Sequence, residues 1–144
     1  SKLSSSLNTL DALIDKVIHT DESIKSGSIE VLTFQIDTMR FAVDLEEIYE
    51  LIELDQANQR ECQTTRFEEE FMFGNITVNY IAPKVLLRKS AVSSGVLIDQ
   101  ACEICQVSID RIRPLPGLVK LFNPTRIWGT TLIDQEIFFL IDLQ

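Results

Sequence analysis

Residues 28–45, SIEVLTFQIDTMRFAVDL, decide the fold class of this chain. Apolar side chains alternate along each half of the stretch, and Asp37 and Thr38 between the halves offer a tight turn. A period of two is typical of β-strands, so the stretch predicts a β-hairpin. The apolar residues predicted to share its inner face are Leu32, Phe34, Ile36, Phe41, Val43 and Leu45.

Further strands are predicted along the rest of the chain. The runs are FGNITVNYIAPKVLL, bounded by Gly74 and Pro83, then GVLIDQACEICQVSI, RIWGTTLI and EIFFLIDL, with Asp134 and Gln135 as the turn between the last two. QANQRECQTTRFEEE is interpreted as an irregular polar connection. DLEEIYELIELD fits both a helical stripe and a strand.

An internal repeat favours the strand for this ambiguous segment. Sliding the chain by 53 residues places AVDLEEIYELIEL (42–54) over GVLIDQACEICQV (95–107), and more loosely Gly74 over Gly129. Each half would then be a small β unit built on one plan, and two such units could share a core.

Residues 1–26 predict an N-terminal amphipathic helix followed by a connector. Its apolar positions recur at helical spacing: Leu3, Leu7, Leu10, Ile14 and Val17. The helix is too short to stand alone as a coiled coil, so it should pack on its own domain, or alternatively on a partner.

Composition predicts one globular domain and no membrane insertion. The chain has 144 residues, 45% of them hydrophobic, which excludes a disordered chain. Its longest apolar run, residues 137–141, is far shorter than the roughly 20 residues of a spanning helix. The N-terminal residues lack a signal-peptide pattern, so the expected location is the cytoplasm.

The charge is concentrated in the middle of the chain. Residues 44–70 carry 10 acidic and 2 basic groups, which is −8 of the net charge of −9. A surface of this sign repels phosphate backbones, so nucleic-acid binding is not expected. It would suit a basic protein partner, or it could serve only solubility.

The three cysteines predict neither a disulfide framework nor a metal site. Cys102 and Cys105 form a C-x-x-C, but their flanks look like a strand, on which such positions point to opposite faces. Only His19 and Cys62 remain as further donors, whereas a zinc site needs four ligands in all. We expect Cys102 and Cys105 to act as small buried hydrophobic residues. We expect no metal and no cofactor.

The order of these motifs resembles the CheW-like chemotaxis adaptor domain over about residues 29–144. The matching stretches are LTFQIDTMRFAVDLEEIYELIEL, FMFGNITVNYIAPKVLL, GVLIDQACEICQVSIDRIRPLP and IWGTTLIDQEIFFLIDL. The resemblance implies a mainly β fold of two SH3-like five-stranded β-barrel subdomains that share a core, here residues 27–144, with the N-terminal helix added.

The resemblance also implies a non-catalytic adaptor in chemotaxis-type signalling. Members of the family couple chemoreceptor tips to the histidine kinase CheA, whose regulatory domain they bind. The implied partners are therefore that regulatory domain and a chemoreceptor cytoplasmic tip. The alternative is a module of the same fold with a changed partner, or one that self-associates through its N-terminal helix.

Four residues match family positions that influence contact with the chemoreceptor. Ile48 and Glu50 lie in the acidic stretch, and Phe73 and Gly74 stand where the family carries an Arg-Gly pair. Phe73 replaces the arginine, so engagement of standard receptors is an open question. Each residue also has a plainer interpretation, because Ile48 and Phe73 could be packing residues and Glu50 a solvated acid.

The opposing hypothesis is an enzyme that uses clustered carboxylates. The candidates are Asp44, Glu46, Glu47, Glu50 and the triplet Glu68, Glu69 and Glu70. No accompanying nucleophile with a base, phosphate loop or metal constellation is visible, and acids this dense are usually exposed. The sequence therefore predicts no catalysis.

Overall fold

The computed structural model describes residues 27–115 and 121–144, so the predicted N-terminal helix lies outside the described residues. Among the described residues, 29–107, 111–115 and 121–144 belong to one compact unit. The described residues of a second unit are 27–28 and 108–110, where the Ile109 N–H donates to the Gly27 carbonyl oxygen at 3.1 Å.

The described residues form nine strands and two short α-helices. The strands are β1 Ser28–Ile36, β2 Met39–Asp44, β3 Ile48–Glu53, β4 Gln63–Arg66, β5 Pro83–Arg88, β6 Ala91–Asp99, β7 Ile104–Ser108, β8 Ile127–Ile133 and β9 Glu136–Ile141. The helices are α1 Leu54–Gln59 and α2 Phe67–Phe71, and 3-10 turns cover Leu45–Glu47 and Ile109–Arg111.

Two sheets confirm the predicted two-subdomain β architecture. One has five strands in the order β7-β1-β2-β9-β8, and the other has four in the order β3-β5-β6-β4. The predicted five strands in each subdomain are therefore met in the first sheet only. In the first sheet, β8 pairs with the outer side of β9 and is the fifth strand. In the second sheet β4 is the last strand, and among the described residues no fifth strand pairs with it. The chain between β3 and β4 forms α1 instead of a strand.

Both sheets follow one plan. A central antiparallel hairpin, β1–β2 or β5–β6, is flanked by a parallel strand, β9 beside β2 or β4 beside β6. The repeated segments 42–54 and 95–107 are the two places where the chain leaves one sheet and enters the other. The looser match of Gly74 to Gly129 is wrong, because Gly129 lies in β8 whereas Gly74 lies in a loop.

A shared core lies between the sheets. It combines Phe34 and Phe41 of the first sheet with Leu86 and Ile98 of the second, and both phenylalanine rings contact Phe67 of α2. Each sheet also has a small core of its own, around Val31, Ala42 and Leu140 in the first and around Ile52, Val85 and Leu97 in the second. Central strands are consequently buried on both faces.

The two predicted hairpins at the ends of the domain are confirmed. Asp37 has a φ of 54° at the first turn. Asp134 and Gln135 have φ of 52° and 67° at the second, as a tight turn between right-twisted strands requires. The ambiguous segment is mixed: Leu45–Glu47 is a 3-10 turn, Ile48–Glu53 is the strand that the repeat favoured, and α1 begins at Leu54.

Residues 73–82 are not the strand that the sequence predicted, and pairing begins only at Pro83. The reason lies in side chains that take the place of a neighbouring strand. The buried Asp99 carboxylate accepts the N–H groups of Ile81 and Ala82, at distances between 2.6 and 3.0 Å. The Arg66 guanidinium donates to the Val78 carbonyl oxygen at 2.8 Å.

Two further sequence interpretations need correction. The stretch read as an irregular polar connection contains the end of α1, β4 and α2, because Gln56 and Glu69 cap the helices and β4 pairs with the distant β6. GVLIDQACEICQVSI is two strands rather than one. Gln100, with a φ of 47°, ends β6 in one sheet before β7 joins the other.

Candidate functional site

The predicted contact residues Ile48 and Glu50 lie on β3, an edge strand of the four-stranded sheet. Ile48 is half-buried and packs against the shared core. The Glu50 carboxylate accepts two hydrogen bonds from the Arg60 guanidinium, at 2.8 and 3.2 Å, and these lower its pKa. Both side chains therefore have partners within the chain.

A bulge in β3 exposes neighbouring apolar side chains. The pairing with β5 shifts between Ile48 and Glu50, which leaves Tyr49 without a partner residue in the ladder. Tyr49 is 54% exposed, and Leu51 on the same strand is 36% exposed. The 3-10 turn that precedes β3 is capped by Asp44, whose carboxylate accepts the Glu46 N–H.

Phe73 and Gly74, the other predicted pair, lie in the loop that follows α2. The Phe73 side chain is 52% exposed, so the interpretation that it packs under the loop is wrong. Its N–H donates to the Leu121 carbonyl oxygen at 2.8 Å, and Met72 forms an isolated bridge with Phe122. Gly74 adopts a φ of 94°, a conformation that glycine favours.

One exposed apolar surface of the described strands was not predicted from the sequence. Leu132 of β8 and Ile137 of β9 face each other directly and are 61% and 58% exposed. Trp128 lies where the pairing of β8 with β9 shifts by one residue, and it is 45% exposed. Thr130, which pairs with Phe139, lies on the same face as Leu132. Phe139 on that face reaches the shared core, so the exposed residues lie beyond the rim of this core.

This surface has no clear sequence signal. RIWGTTLI and EIFFLIDL are apolar at both alternating sets of positions, because the first sheet packs on two cores. Periodicity alone cannot say which set reaches solvent. We call Trp128, Leu132 and Ile137 the hairpin surface, and Tyr49 and Leu51 the bulge surface.

The acidic triplet of α2, Glu68, Glu69 and Glu70, stabilises the fold. The expectation that such acids are exposed is wrong for Glu68 and Glu70. Glu68 is buried, where the Tyr80 hydroxyl donates to it at 2.7 Å and Arg66 at 2.8 Å. Burial raises the pKa of Glu68, but these hydrogen bonds outweigh it and leave the pKa below its ordinary value. The Glu69 carboxylate accepts the Arg66 N–H at the start of the helix.

Glu70 lies between two arginines. The Arg88 guanidinium donates to both of its carboxylate oxygens, at 2.7 and 2.6 Å, and Arg126 donates to one of them. Arg88 also donates to the Leu143 carbonyl oxygen at 2.7 Å. The network thus ties α2, β5 and the start of β8 to the last residues of the chain. It is a structural clamp in which two guanidinium groups share one carboxylate.

Glu47 and Asp44, two of the remaining acidic candidates, also have partners within the fold. The Glu47 carboxylate accepts the Leu143 N–H at 2.8 Å, and burial raises the pKa of Glu47. Burial likewise raises the pKa of Asp44, which serves as a cap.

The cysteines differ in part from the expectation of small buried hydrophobes. Cys102 is exposed in the loop between β6 and β7, and it lines an open pocket of about 550 Å³. Cys105 is half-buried on β7, and burial together with the nearby Glu103 raises the pKa of its thiol. All three thiols are free, and within residues 27–115 and 121–144 no three His, Cys, Asp or Glu side chains are grouped to hold a metal ion.

No helix in the described part of the chain is long and apolar enough to cross a membrane. No protein-family model matches the sequence, and no curated protein sequence matches it.

Similarity appears at the level of the fold. The chain resembles the crystal structure of the scaffolding protein CheW from Thermoanaerobacter tengcongensis with a TM-score of 0.67 and 12% sequence identity. The match covers 84% of this chain and 88% of that protein. Two β subdomains on one plan with a shared core, together with this match, show that the chain has a CheW-like fold.

Proposed function

We propose that the protein is a non-catalytic, cytoplasmic adaptor in chemotaxis-type signal transduction, which couples chemoreceptors to a CheA-type histidine kinase. The observation that carries the proposal is the similarity in fold to a CheW scaffolding protein over 84% of the chain. The partners are the regulatory domain of the kinase and the cytoplasmic tip of a chemoreceptor. Both contacts are between proteins and use no cofactor or metal.

The state of the acidic side chains supports a role without catalysis. General acid or base catalysis needs a carboxylate that can reach a substrate. Glu68 and Glu70 are held by Tyr80, Arg66, Arg88 and Arg126, and their hydrogen bonds serve the fold. Exposed apolar side chains are, by contrast, the usual anchors of a protein interface.

The partner contact is proposed at Phe73 and Gly74, with Ile48 and Glu50 as its second part. Phe73 supplies the strongest anchor, because half of an aromatic ring lies open to solvent on a backbone that is hydrogen-bonded to Leu121. Gly74 sets the direction of the loop through its positive φ. Ile48 supports β3 from the core side, and Glu50 on the same strand adds an ion pair with Arg60.

Isothermal titration calorimetry with the regulatory domain of a CheA-type kinase from the same organism tests the proposal. We expect binding of micromolar strength or better to this domain, and also to the cytoplasmic fragment of a chemoreceptor, where Phe73→Ala should weaken the binding about tenfold or more. The matched control is Ile81→Ala, which removes a side chain of the same loop that is 76% exposed and should leave the affinity unchanged.

Two outcomes would contradict the proposal. Absence of binding by the unaltered chain at hundreds of micromolar would remove the kinase as partner. An equal loss in the Phe73 and Ile81 variants would remove the Phe73 contact, because the effect would then belong to the loop in general.

A further inference from the structure

Phe73 has an exposed apolar neighbour, Leu121, that the sequence motifs did not indicate. The two residues meet on a short antiparallel ladder, in which the Phe73 N–H donates to the Leu121 carbonyl oxygen at 2.8 Å. Met72 and Phe122, the residues next to them in the chain, form the bridge of this ladder. Phe73 and Leu121 therefore lie opposite each other, one position beyond the bridge.

The two faces of the ladder differ in exposure. Met72 and Phe122 are buried in the shared core, where the Phe122 ring packs on Phe139 with 4.7 Å between the ring centroids. Successive side chains of an extended chain point to opposite faces, so Phe73 and Leu121 point outward, and Leu121 is 40% exposed. The exposed pair thus stands on a fixed base, which reduces the entropy that a partner must remove on binding.

The two segments that carry the pair supply no charge. Residues 71–83 and 121–125 contain no Asp, Glu, Lys, Arg or His, in a protein in which 24% of the residues are charged. Of the charged residues that flank these segments, Glu70, Lys84 and Arg126 are held in ion pairs, and Lys120 lies outside the described residues. A charged group pressed onto the pair would lose its water and gain no opposite charge from either segment, whereas an apolar group gains from the transfer.

We infer that Leu121 is a further contact residue of the proposed chemoreceptor site, and that it and Phe73 together accept an uncharged apolar side chain of the receptor tip. The inference rests on the proposed function, because it names the chemistry of the partner at that same site. Directly opposed residues have Cβ atoms about 5 Å apart, so one aliphatic or aromatic side chain can touch both. An acidic side chain in the same place would find no cation in residues 71–83 or 121–125. The pair therefore selects receptors that carry an apolar residue at the contact.

Isothermal titration calorimetry of the full chain with the cytoplasmic fragment of a chemoreceptor from the same organism tests the inference. Leu121→Ala should weaken the binding about fivefold, whereas Leu121→Met conserves the volume and should keep the affinity. Phe73→Arg should weaken the binding about tenfold or more, because a guanidinium group would be desolvated against an apolar side chain. The matched control is Ile81→Arg, which adds the same charge at an exposed residue of the same uncharged segment and should leave the affinity unchanged. Circular dichroism checks the folding of each variant.

Two further readouts separate a shared contact from a general effect on the loop. The double variant Phe73→Ala with Leu121→Ala should lose less affinity than the product of the two single losses, because both residues touch one receptor side chain. The ratio between the affinities of the unaltered chain and Phe73→Ala should stay constant from about 50 to about 500 mM NaCl, because salt screens charges and not apolar contacts.

Three distinguishable results would overturn the inference. Failure of the unaltered chain to bind the fragment would remove the receptor coupling of the proposed function, and the inference with it. Binding that Leu121→Ala leaves unchanged would keep the proposed function but take Leu121 out of the contact. Binding that Phe73→Arg strengthens, while Ile81→Arg has no effect, would show that the receptor offers an acidic side chain instead.

Discussion

Replacing Glu70 by glutamine should lower the free energy of unfolding by about 3 kcal/mol at pH 7. The carboxylate receives two hydrogen bonds from Arg88, one from Arg126 and one from the Thr65 hydroxyl. Glutamine keeps the shape of the side chain but removes its charge and turns an amide donor toward the arginines. Two mostly buried guanidinium groups, with side chains 10% and 19% exposed, then lose their counter-charge.

This magnitude follows from burial. Removal of one partner from a buried ion pair costs about 3 to 5 kcal/mol. The lower end applies here, because Glu70 itself is 18% exposed and the Leu143 carbonyl oxygen still accepts from Arg88. With an m-value of about 2 kcal/mol per molar urea, the unfolding midpoint should fall by about 1.5 M.

Urea unfolding followed by far-UV circular dichroism measures the effect. Glu136→Gln is the matched control, because it makes the same change in an exposed ion pair with Arg40, where at most about 1 kcal/mol is expected. If both variants lost the same stability, the clamp would contribute no more than a surface pair. The reasoning on the Glu70 network would then be refuted.

The pH dependence of the same variant gives an independent check. Burial raises the pKa of Glu70, but hydrogen bonds from Arg88 outweigh it, so the folded pKa lies below the ordinary value of 4.5. A carboxylate with a depressed folded pKa contributes its full stability above its unfolded pKa, and the contribution is lost as the pH falls through the folded pKa. The difference between the unaltered chain and Glu70→Gln should therefore be constant near neutrality and shrink below pH 4.5.

Three further predictions concern other parts of the fold. Tyr80→Phe removes the hydrogen bond that the hydroxyl donates to Glu68 and the one that it accepts from the Phe67 N–H, so it should lower the free energy of unfolding in urea by about 1 to 2 kcal/mol. Burial and Glu68 raise the pKa of Tyr80, so an ultraviolet titration of the variant should lose a tyrosine that ionises above its ordinary pKa. Gly95→Ala places a Cβ 2.5 Å from Val85 Cγ1 and should lower the free energy of unfolding by about 2 to 3 kcal/mol. The Cβ of Gly74→Ala meets open space, so this variant should lose only about 1 kcal/mol, through the positive φ at that position. Equal costs for the two glycine variants would contradict this packing argument. Cys102, being exposed, should react with an aromatic disulfide reagent several-fold faster at pH 8 than Cys105, whose raised pKa and partial burial slow it. Variants that keep one cysteine each separate these two rates from that of Cys62, the third free thiol.

The features predicted correctly from the sequence are those fixed by local chemistry. Alternation in residues 28–45 and the turn at Asp134 and Gln135 depend on neighbours in the chain, and both hairpins are confirmed. The failures depend on distant contacts. Residues 73–82 alternate like a strand, but the Asp99 carboxylate, 17 and 18 residues away from its donors, takes their N–H groups instead.

At the candidate site, too, local motifs were predicted correctly, whereas properties that depend on distant contacts were not. Four contact positions could be named from the motif order, but whether a side chain faces solvent was not readable, because strands between two cores are apolar on both faces. Phe73, which the sequence alone left open, is exposed, whereas Ile48 packs on the core. The hairpin surface was missed for this reason.

Receptor control of kinase activity tests the adaptor function most directly. A CheA-type kinase and the cytoplasmic fragment of a chemoreceptor from the same organism would be mixed with and without this protein, and autophosphorylation of the kinase measured. The account predicts that the receptor fragment changes the rate only when the protein is present, and that Phe73→Ala reduces this change. A rate that responds equally to the receptor with and without the protein would contradict the coupling role.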